Sequence, residues 1–306
     1  MKKKGRLFMI IALVILAILV ILLFVFGFMM ASYSMGIKPQ TLPEARKWQE
    51  DHYDLSWYDP LEKKDYTITS YDGYALHVQY LANPAPTDKY ILISHGYTDN
   101  RFGAMKYAKM YLDLGYNIIA YDLRGHGENE PTFCTYSARE SRDLETLIRD
   151  TRSRYADMKV FGIHGESLGC ATSIAVLKYK PEIDFVVADC GFSNIADVLT
   201  GGLKQSHVPG WFVHVASLCA RLKFGYSYND MRPIDSLKDN TIPILFIHGE
   251  KDDFILPAHS EAMQKATKGY SELHIIKNAG HAASILTAPE EYREIVDAFL
   301  NLVISK

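Results

Sequence analysis

Hydrophobic and polar positions form two distinct patterns along the chain. Residues 7–30 are 24 residues without a charge, among which only Gly27 lies outside the strictly apolar set. From about residue 66 onward, short apolar runs typical of strands alternate with longer segments typical of helices. Such alternation indicates a mostly parallel sheet with helices on both faces. The sequence therefore predicts an α/β domain over residues 66–306, preceded by a separate apolar helix.

The apolar run is long enough to cross a membrane, because at ~1.5 Å per residue it spans the ~30 Å hydrocarbon core. Three lysines at positions 2–4 and Arg6 precede it, whereas the next 15 residues contain only Lys38 as a cation. The positive-inside rule therefore predicts that residues 1–6 are cytoplasmic, that residues 7–30 are a signal anchor at the cell membrane, and that the domain is extracytoplasmic.

A cleaved signal peptide is the competing interpretation of this run. Its apolar region is usually only ~7–15 residues long, and no A-x-A cleavage site follows here. These two observations favour the anchor.

Several helices and one hairpin are predicted within the rest of the chain. A hairpin is expected over residues 66–82, turning at Tyr71-Asp72-Gly73. Helices are expected near residues 101–114, 138–155, 168–179, 258–268 and 289–303. Residues 31–65 are interpreted as a juxtamembrane segment, in which Trp48 and Trp57 either sit at the membrane interface or pack on the domain.

Residues 165–169 read Gly-Glu-Ser-Leu-Gly, a G-x-S-x-G pattern. They follow an apolar run of strand character and precede a helical stretch. A strand that turns sharply into a helix holds its central serine in strained backbone geometry, with Oγ clear of the sheet. Glycines are needed on either side because Cβ atoms there would collide with the turn. The pentapeptide alone is a loose pattern, but this context favours a catalytic nucleophile at Ser167.

An acid and a histidine should follow such a nucleophile, each in a loop after a later strand. The β-branched run 241–247 leads into an acidic loop at 248–253, and the strand 272–276 leads into a glycine-containing loop that ends at His281. A histidine there can act as general base, and a buried carboxylate can fix its tautomer. His274 also follows the acidic loop, but it falls inside a strand and is interpreted as a structural or surface residue.

Two adjacent aspartates compete for the role of the acid. Counting forward from the strand, the spacing His248-Gly249-x-x-Asp selects Asp252, whereas counting back from Pro257 selects Asp253. The strand fixes where the loop leaves the sheet, whereas an extra residue is easily absorbed before the next helix. Asp252 is therefore predicted, and Asp253 stays as the alternative.

Five motifs in this order resemble the α/β-hydrolase superfamily, in particular bacterial membrane-anchored serine hydrolases of the BEM46-like and YqkD-like kind. Besides the serine motif, they are HGYTDN at 95–100, YDLRGHG at 121–127, HGEKD at 248–252 and GHAAS at 280–284. One such motif would be weak, but five in register over residues 66–302 are specific. The resemblance implies an α/β-hydrolase fold with an eight-stranded type of sheet, a helical cap and serine esterase chemistry.

The resemblance also implies an oxyanion hole made of two backbone amides, one after the third strand and one after the nucleophile. In this chain these are the amides of Tyr97 and Leu168. Asp122 and Arg124 lie in a neighbouring motif and are interpreted as structural, because charge-assisted hydrogen bonds from such a loop can hold adjacent loops.

An insert of about 50 residues, at about 191–241, separates two predicted strands and is the expected position of the cap. It contains Trp211, Phe212 and Phe224. These aromatic residues either form an apolar lid over the serine that accepts an acyl chain, or are the packed underside of a small helical insert. Both interpretations stay open.

Composition limits the remaining function classes. The 306 residues are 48% hydrophobic and 23% charged, with a net charge of -3, which fits one globular domain of ordinary core size. No Walker loop, G-x-G-x-x-G motif or basic patch is found, which argues against phosphate and nucleic-acid partners. Cys134, Cys170, Cys190 and Cys219 lack C-x-x-C spacing and are expected to be free and buried. No metal and no cofactor are predicted.

Together these residues predict a membrane-anchored serine hydrolase that cleaves a small-molecule or lipid-like carboxylic ester or thioester. Ser167 would attack the carbonyl, His281 would transfer the proton, and Asp252 would orient His281. A peptidase is the alternative, because amide and ester cleavage share this machinery. A catalytically silent membrane protein that binds a ligand or partner is the alternative of another class. The natural substrate and the oligomeric state do not follow from the sequence.

Overall fold

A computed structural model describes residues 2–304 of the chain, with side chains from residue 5 onward. Parts of the predicted segments 1–6 and 66–306 therefore lie outside the described residues. The strands are β1 (Lys63–Thr69), β2 (Ala75–Leu81), β3 (Lys89–Ser94), β4 (Asn117–Tyr121), β5 (Val160–Glu166), β6 (Phe185–Asp189), β7 (Ile244–Gly249) and β8 (Ser271–Ile276). The α-helices are α1 (Lys2–Met35), α2 (Leu42–His52), α3 (Met105–Asp113), α4 (Glu140–Arg154), α5 (Leu168–Ala175), α6 (Ile195–Gln205), α7 (Phe212–Phe224), α8 (Ala258–Ala266), α9 (Ser284–Thr287) and α10 (Pro289–Ile304).

The eight strands form one sheet in the order β1-β2-β4-β3-β5-β6-β7-β8. β1 and β2 are antiparallel to their neighbours, and the other six strands, β3 to β8, are parallel to one another. Successive side chains of a strand point to opposite faces, so Leu92 joins one apolar cluster while Ile91 and Ile93 join the other. The sheet is thus buried on both faces, and the predicted α/β-hydrolase fold is confirmed.

Parallel strands bring the loops at their carboxyl ends to one edge of the sheet. The register pairs Ser94 of β3 with Gly165 of β5, and Glu166 with Asp189 of β6. The loops that follow β3, β5, β6, β7 and β8 therefore start next to one another. Every motif that the sequence singles out after a strand lies at this edge.

The N-terminal helix α1 contains the whole predicted span at 7–30 and continues to Met35. It is long and apolar enough to cross a membrane, with a mean hydropathy of 3.6 over its most apolar window, and none of that window is buried in the protein. The last turns of the helix differ in their burial, because Ala31 and Met35 are completely buried against the domain. The helix thus continues without a break into the folded part of the chain.

The segment after α1 also folds onto the domain. Thr41 and Glu44 form a capping box that starts α2. Trp57 packs against an apolar cluster of the domain, and the centre of the Trp48 ring lies 5.9 Å from Nζ of Lys106 in α3. Both tryptophans therefore contact the domain, which was one of the two interpretations of this segment.

The insert between β6 and β7 contains α6, α7 and two short 3-10 turns. The side chain of Asn194 caps α6, and Gly225 ends α7 in the left-handed conformation that glycine favours. Helix α7 packs along the C-terminal half of α1. There, a Cβ at Gly27 would lie 2.8 Å from Cys219 Sγ, so only glycine permits this approach.

Candidate active site

Ser167 lies at the turn between β5 and α5, with φ 53° and ψ -112°. These are strained angles for a residue with a side chain. The turn is tight on both sides, because a Cβ at Gly165 would lie 2.3 Å from the Gly169 carbonyl oxygen, and a Cβ at Gly169 would lie 2.1 Å from that of Ser94. The two glycines of the motif are therefore required by close backbone approach, as in a nucleophile elbow.

Ser167, His281 and Asp252 form a continuous chain of hydrogen bonds. Ser167 Oγ lies 2.9 Å from His281 Nε2, and His281 Nδ1 lies 2.7 Å from Asp252 Oδ2. A carboxylate only accepts hydrogen bonds, so Nδ1 of His281 carries a proton. In the neutral imidazole, Nε2 is then free to accept the hydroxyl proton of Ser167. This is the geometry that a serine nucleophile and its general base require.

The carboxylate of Asp252 is completely buried and well supplied with donors. Its Oδ1 accepts from the backbone amides of Phe254 and Ile255, at 3.1 and 2.9 Å. Burial alone would raise the pKa of Asp252, but hydrogen bonds from His248 and His281 outweigh it and hold the pKa well below its usual value. The carboxylate therefore stays ionised wherever His281 can act as a base.

The alternative acid and the alternative histidine lie elsewhere. The side chain of Asp253 is exposed to solvent, and the backbone carbonyl of this residue accepts a hydrogen bond from Gln205. His274 lies within β8, where Nε2 is 2.9 Å from the carboxylate of Glu272. Neither residue is brought to Ser167 by the described contacts.

The loop after β3 lies against the elbow, since a Cβ at Gly96 would be 3.7 Å from Ser167 Cβ. Tyr97, Ser167 and Leu168 line the same cavity. Leu168 is the first residue of α5, so its backbone amide has no acceptor within the helix. The two amides implied as an oxyanion hole thus belong to segments that flank the serine.

Asp122 and Arg124 form buried ion pairs away from the serine. Asp122 Oδ2 is 2.5 Å from Arg101 Nη1, and Arg124 Nη2 is 2.6 Å from Asp143 Oδ1 and 2.9 Å from Asp72 Oδ1. These contacts join the loop after β4 to the hairpin and to α4. They match the structural interpretation given to both residues.

A buried polar cluster lies directly beneath the elbow, and sequence reasoning did not identify it. Lys106 forms an almost completely buried ion pair with Glu166. Tyr107 and Tyr292 place their hydroxyls 3.0 Å from Asp189 Oδ2. Burial, and then the charge of Glu166, raise the pKa of Asp189 to about 6. The only sequence signal was the glutamate of the serine motif, Glu166, whose side chain is almost completely buried.

Two cavities meet at Ser167. The larger, of about 640 Å³, is mainly apolar and runs between the end of α1 and the cap helix α6. The smaller, of about 350 Å³, lies under α2 and is lined by Gln49, Asp99, Lys106 and His281. The buried side-chain oxygen of Gln49 has no hydrogen-bond partner among the described residues. One side of the serine is thus suited to an aliphatic group and the other to a polar group.

The aromatic residues proposed for the acyl pocket do not line the apolar cavity. Phe212 packs edge-on against Phe26 of α1 at 4.7 Å, and Phe224 lies at a tilt against Phe133 at 4.8 Å. Trp211 is 56% exposed. These side chains face α1, Phe133 and the surface because α7 packs on α1 rather than over the serine. Most of the cap residues that do reach the cavity come from α6.

One group of side chains has the donor types of a metal site. Donor atoms of Cys190, Asp252 and His281 lie within 4.8 Å of one another. However, burial raises the pKa of the Cys190 thiol well above its usual value, so the thiol stays protonated. The carboxylate and imidazole already bond to each other and to Ser167. The hydrogen-bonded chain therefore explains this cluster. All four cysteines are free and buried.

Comparison with known proteins identifies the family of the chain. The model of the prolyl oligopeptidase family matches residues 104–305. The uncharacterized protein YqkD of Bacillus subtilis is 30% identical over 281 residues, which cover 90% of this chain and 92% of that protein. The human serine hydrolase BPHL is 24% identical over 211 residues, which cover 60% of this chain and 69% of that protein.

Solved structures agree on the fold. An esterase of Pyrococcus furiosus superposes with a TM-score of 0.67 at 23% identity, covering 88% of this chain and 98% of that one. An esterase from Exiguobacterium antarcticum superposes with a TM-score of 0.57 at 17% identity, covering 77% and 99%. The chain therefore belongs to the prolyl oligopeptidase family of the α/β-hydrolase superfamily and is a hydrolase.

Proposed function

We propose that this protein is a membrane-anchored, extracytoplasmic serine hydrolase that cleaves carboxylic esters or thioesters. The observation that carries the proposal is the hydrogen-bonded chain from Ser167 through His281 to Asp252 at the mouth of an apolar cavity. The elbow, the base and the buried acid follow one another in the order that this fold uses.

In the proposed reaction, Ser167 Oγ attacks the substrate carbonyl while His281 Nε2 takes the hydroxyl proton. The carbonyl oxygen becomes an oxyanion, for which the amides of Tyr97 and Leu168 are the proposed donors. His281 returns the proton to the leaving alcohol or thiol as its bond to the carbonyl carbon breaks. A water molecule, deprotonated by His281, then attacks the acyl-enzyme and releases the carboxylic acid and Ser167.

The two cavities support an acyl ester over a peptide. An aliphatic acyl chain suits the apolar cavity, and an alcohol with hydroxyl groups suits the polar one, where Gln49 offers an unpartnered oxygen. A peptidase is the second candidate, favoured by the match to the prolyl oligopeptidase family. Rates on a panel of prolyl peptides and a panel of acyl esters would separate the two.

The proposed location of the domain outside the cytoplasm is based on helix α1. The helix is long and apolar enough to span a membrane, and the basic residues that precede its apolar run at 7–30 support a cytoplasmic N-terminus. We infer that the domain lies on the opposite side.

Labelling with a fluorophosphonate probe tests the proposed mechanism. The full-length protein should be labelled and should hydrolyse aryl esters, and Ser167→Ala should lose labelling and lower kcat by ~10⁴ or more. Ser193→Ala is a matched control, because Ser193 Oγ also contacts a histidine, His259 Nδ1 at 2.8 Å, but lies outside the elbow. Turnover by Ser167→Ala close to that of the wild type would refute the mechanism, whereas a wild type with neither labelling nor turnover would favour the catalytically silent binding protein.

A further inference from the structure

The apolar cavity has an unusual wall, because part of it comes from the helix that is proposed to cross the membrane. Met30 and Tyr33 of α1 line one side, together with Ile37 just beyond the helix. Leu199 and Leu203 of the cap helix α6 line the other side. Ser167 lines the same cavity. The acyl-binding side of the site is therefore assembled from two segments far apart in sequence.

This wall is fixed to the domain by several hydrogen bonds. The carbonyl of Met35 accepts from the Cys134 amide at 2.8 Å, and the carbonyl of Gly36 accepts from the Tyr97 hydroxyl at 2.7 Å. Because Tyr97 belongs to the loop that flanks Ser167, the end of α1 and the active-site loop hold each other. The cavity is thus part of the folded structure and does not depend on a loose linker.

Met30 places part of the cavity wall at the edge of the proposed membrane span. It is the last residue of the uncharged apolar run that begins at residue 7. In a helix that spans the bilayer, this residue lies at the boundary of the hydrocarbon core. Because Met30 and Ser167 line the same cavity, the cavity extends from that boundary to the nucleophile.

The cap lies at the same boundary. Phe212 of α7 packs on Phe26, four residues inside the end of the apolar run. Along α7, Leu218 and Leu222 are 49% and 65% exposed. Apolar side chains exposed beside a membrane span find their natural partner in lipid. Helix α1 is thus placed against the bilayer directly, and the cap helix α6 is placed there through α7.

We propose that α1 and α6 form an acyl-chain site that opens sideways into the extracytoplasmic leaflet, so that the enzyme takes membrane lipid esters from its own bilayer. The chain of the lipid would lie between Met30 and Leu199, with its ester carbonyl at Ser167. Among the described residues that line the cavity, Lys38 alone carries a charge, and it is exposed. The substrate class rests on the proposed serine hydrolase activity, and the location rests on the proposed anchor.

Cross-linking in vesicles tests the site directly. The probe is a fluorophosphonate with a long alkyl chain and a diazirine near its end, added to the full-length protein in phosphatidylcholine liposomes. After Ser167 is labelled, irradiation should attach the chain to peptides containing residues 30–38 and 195–206. Attachment to α2 instead, or to no part of α1 or α6, would overturn the proposal. Failure of every fluorophosphonate to label Ser167 would instead contradict the serine hydrolase function.

A chain-length series gives an independent test in the same liposomes. Leu199→Trp narrows the cavity and should lower the ratio of hexadecanoyl to acetyl aryl ester hydrolysis by at least tenfold. Leu222→Trp makes the same change on the exposed face of α7, outside the cavity, and should leave that ratio unchanged. An equal ratio in Leu199→Trp and wild type, with both active on the acetyl ester, would contradict the acyl site but not the hydrolase.

Discussion

The imidazole Nε2 of His248 lies 3.1 Å from Oδ2 of Asp252, the same oxygen that accepts a hydrogen bond from His281. The second neighbour of this nitrogen is the carbonyl oxygen of Ile255, at 2.7 Å. Both neighbours are acceptors, so Nε2 carries a proton, and in the neutral ring Nδ1 accepts from the hydroxyl of Ser260. His248 is therefore a positioning residue that stabilises the charge of the acid at the same oxygen as His281.

The pH dependence of kcat/KM should show whether His248 stabilises the charge of Asp252. Because the pKa of Asp252 is held well below its usual value, Asp252 should stay ionised along the acid limb of log kcat/KM, and the limb should have a slope of one. His248→Phe removes a donor while Asp252 stays buried, which raises the pKa of Asp252 and should steepen the limb toward two. His248→Gln keeps a donor and should restore a slope near one. Identical limbs in wild type and His248→Phe would show that His248 does not support the acid.

The choice between the two aspartates gives a second prediction. Asp252→Asn should lower kcat on a simple aryl ester by ~10⁴, because His281 would lose the carboxylate that fixes its tautomer; this magnitude is the serine protease precedent. Asp253→Asn should stay within about tenfold of wild type, because its exposed charge acts only through solvent. Steady-state rates of variants with matched melting temperatures test this, and the reverse ranking would transfer the role to Asp253.

The ion pair beneath the elbow gives a prediction on stability. Burial lowers the pKa of Lys106, but the adjacent carboxylate of Glu166 raises it above its usual value, so the lysine is charged. Lys106→Met leaves Glu166 without its buried partner and should lower the free energy of unfolding by roughly 3–5 kcal/mol. The double variant with Glu166→Gln should recover part of this loss.

The matched control for this change is Lys109→Met, on the same helix. Lys109 pairs with Asp113 at the surface, with 47% of its side chain exposed, so its loss should cost within about 1 kcal/mol. Urea unfolding in detergent, followed by tryptophan fluorescence, measures all three variants. Equal losses in the free energy of unfolding for the two single variants would show that the buried ion pair contributes no more to stability than the surface pair.

Membrane topology is the fourth prediction. Protease added to sealed, right-side-out vesicles should digest the chain beyond residue 31, and a reporter fused at Lys306 should be active only outside the cell. The basic residues before the apolar run at 7–30 predict this orientation through the positive-inside rule. Full protection of the domain in correctly oriented vesicles would show that the domain lies on the cytoplasmic side.

Sequence reasoning performed best where local pattern and chain order determine the structure. The elbow at Ser167 requires glycines at two fixed positions, and parallel strands bring the later loops to the same edge, so Asp252 and His281 could be placed without coordinates. Helix α5 and the strands around it follow from apolar runs of ordinary length.

The cap and the polar cluster could not be predicted in this way. Phe212 and Phe224 belong to an amphipathic insert, and which of its faces meets the serine depends on how α7 packs against α1, a contact between residues about 190 positions apart. Lys106 and Glu166 are isolated charged residues in the sequence, and only the approach of α3 to β5 makes them a buried pair.

Helix α1 continues without a break into the domain, where the carbonyl of Met35 accepts a hydrogen bond from the Cys134 amide. This continuity affects how the proposed membrane enzyme could be released from cells. When a flexible stalk joins an ectodomain to its span, a shedding protease liberates an active soluble form. Here the residues where such a cut would fall, near Tyr33, also line the cavity beside Ser167. Shedding at this point would remove one wall of the cavity, so cleavage would act as an off switch and leave no working secreted form.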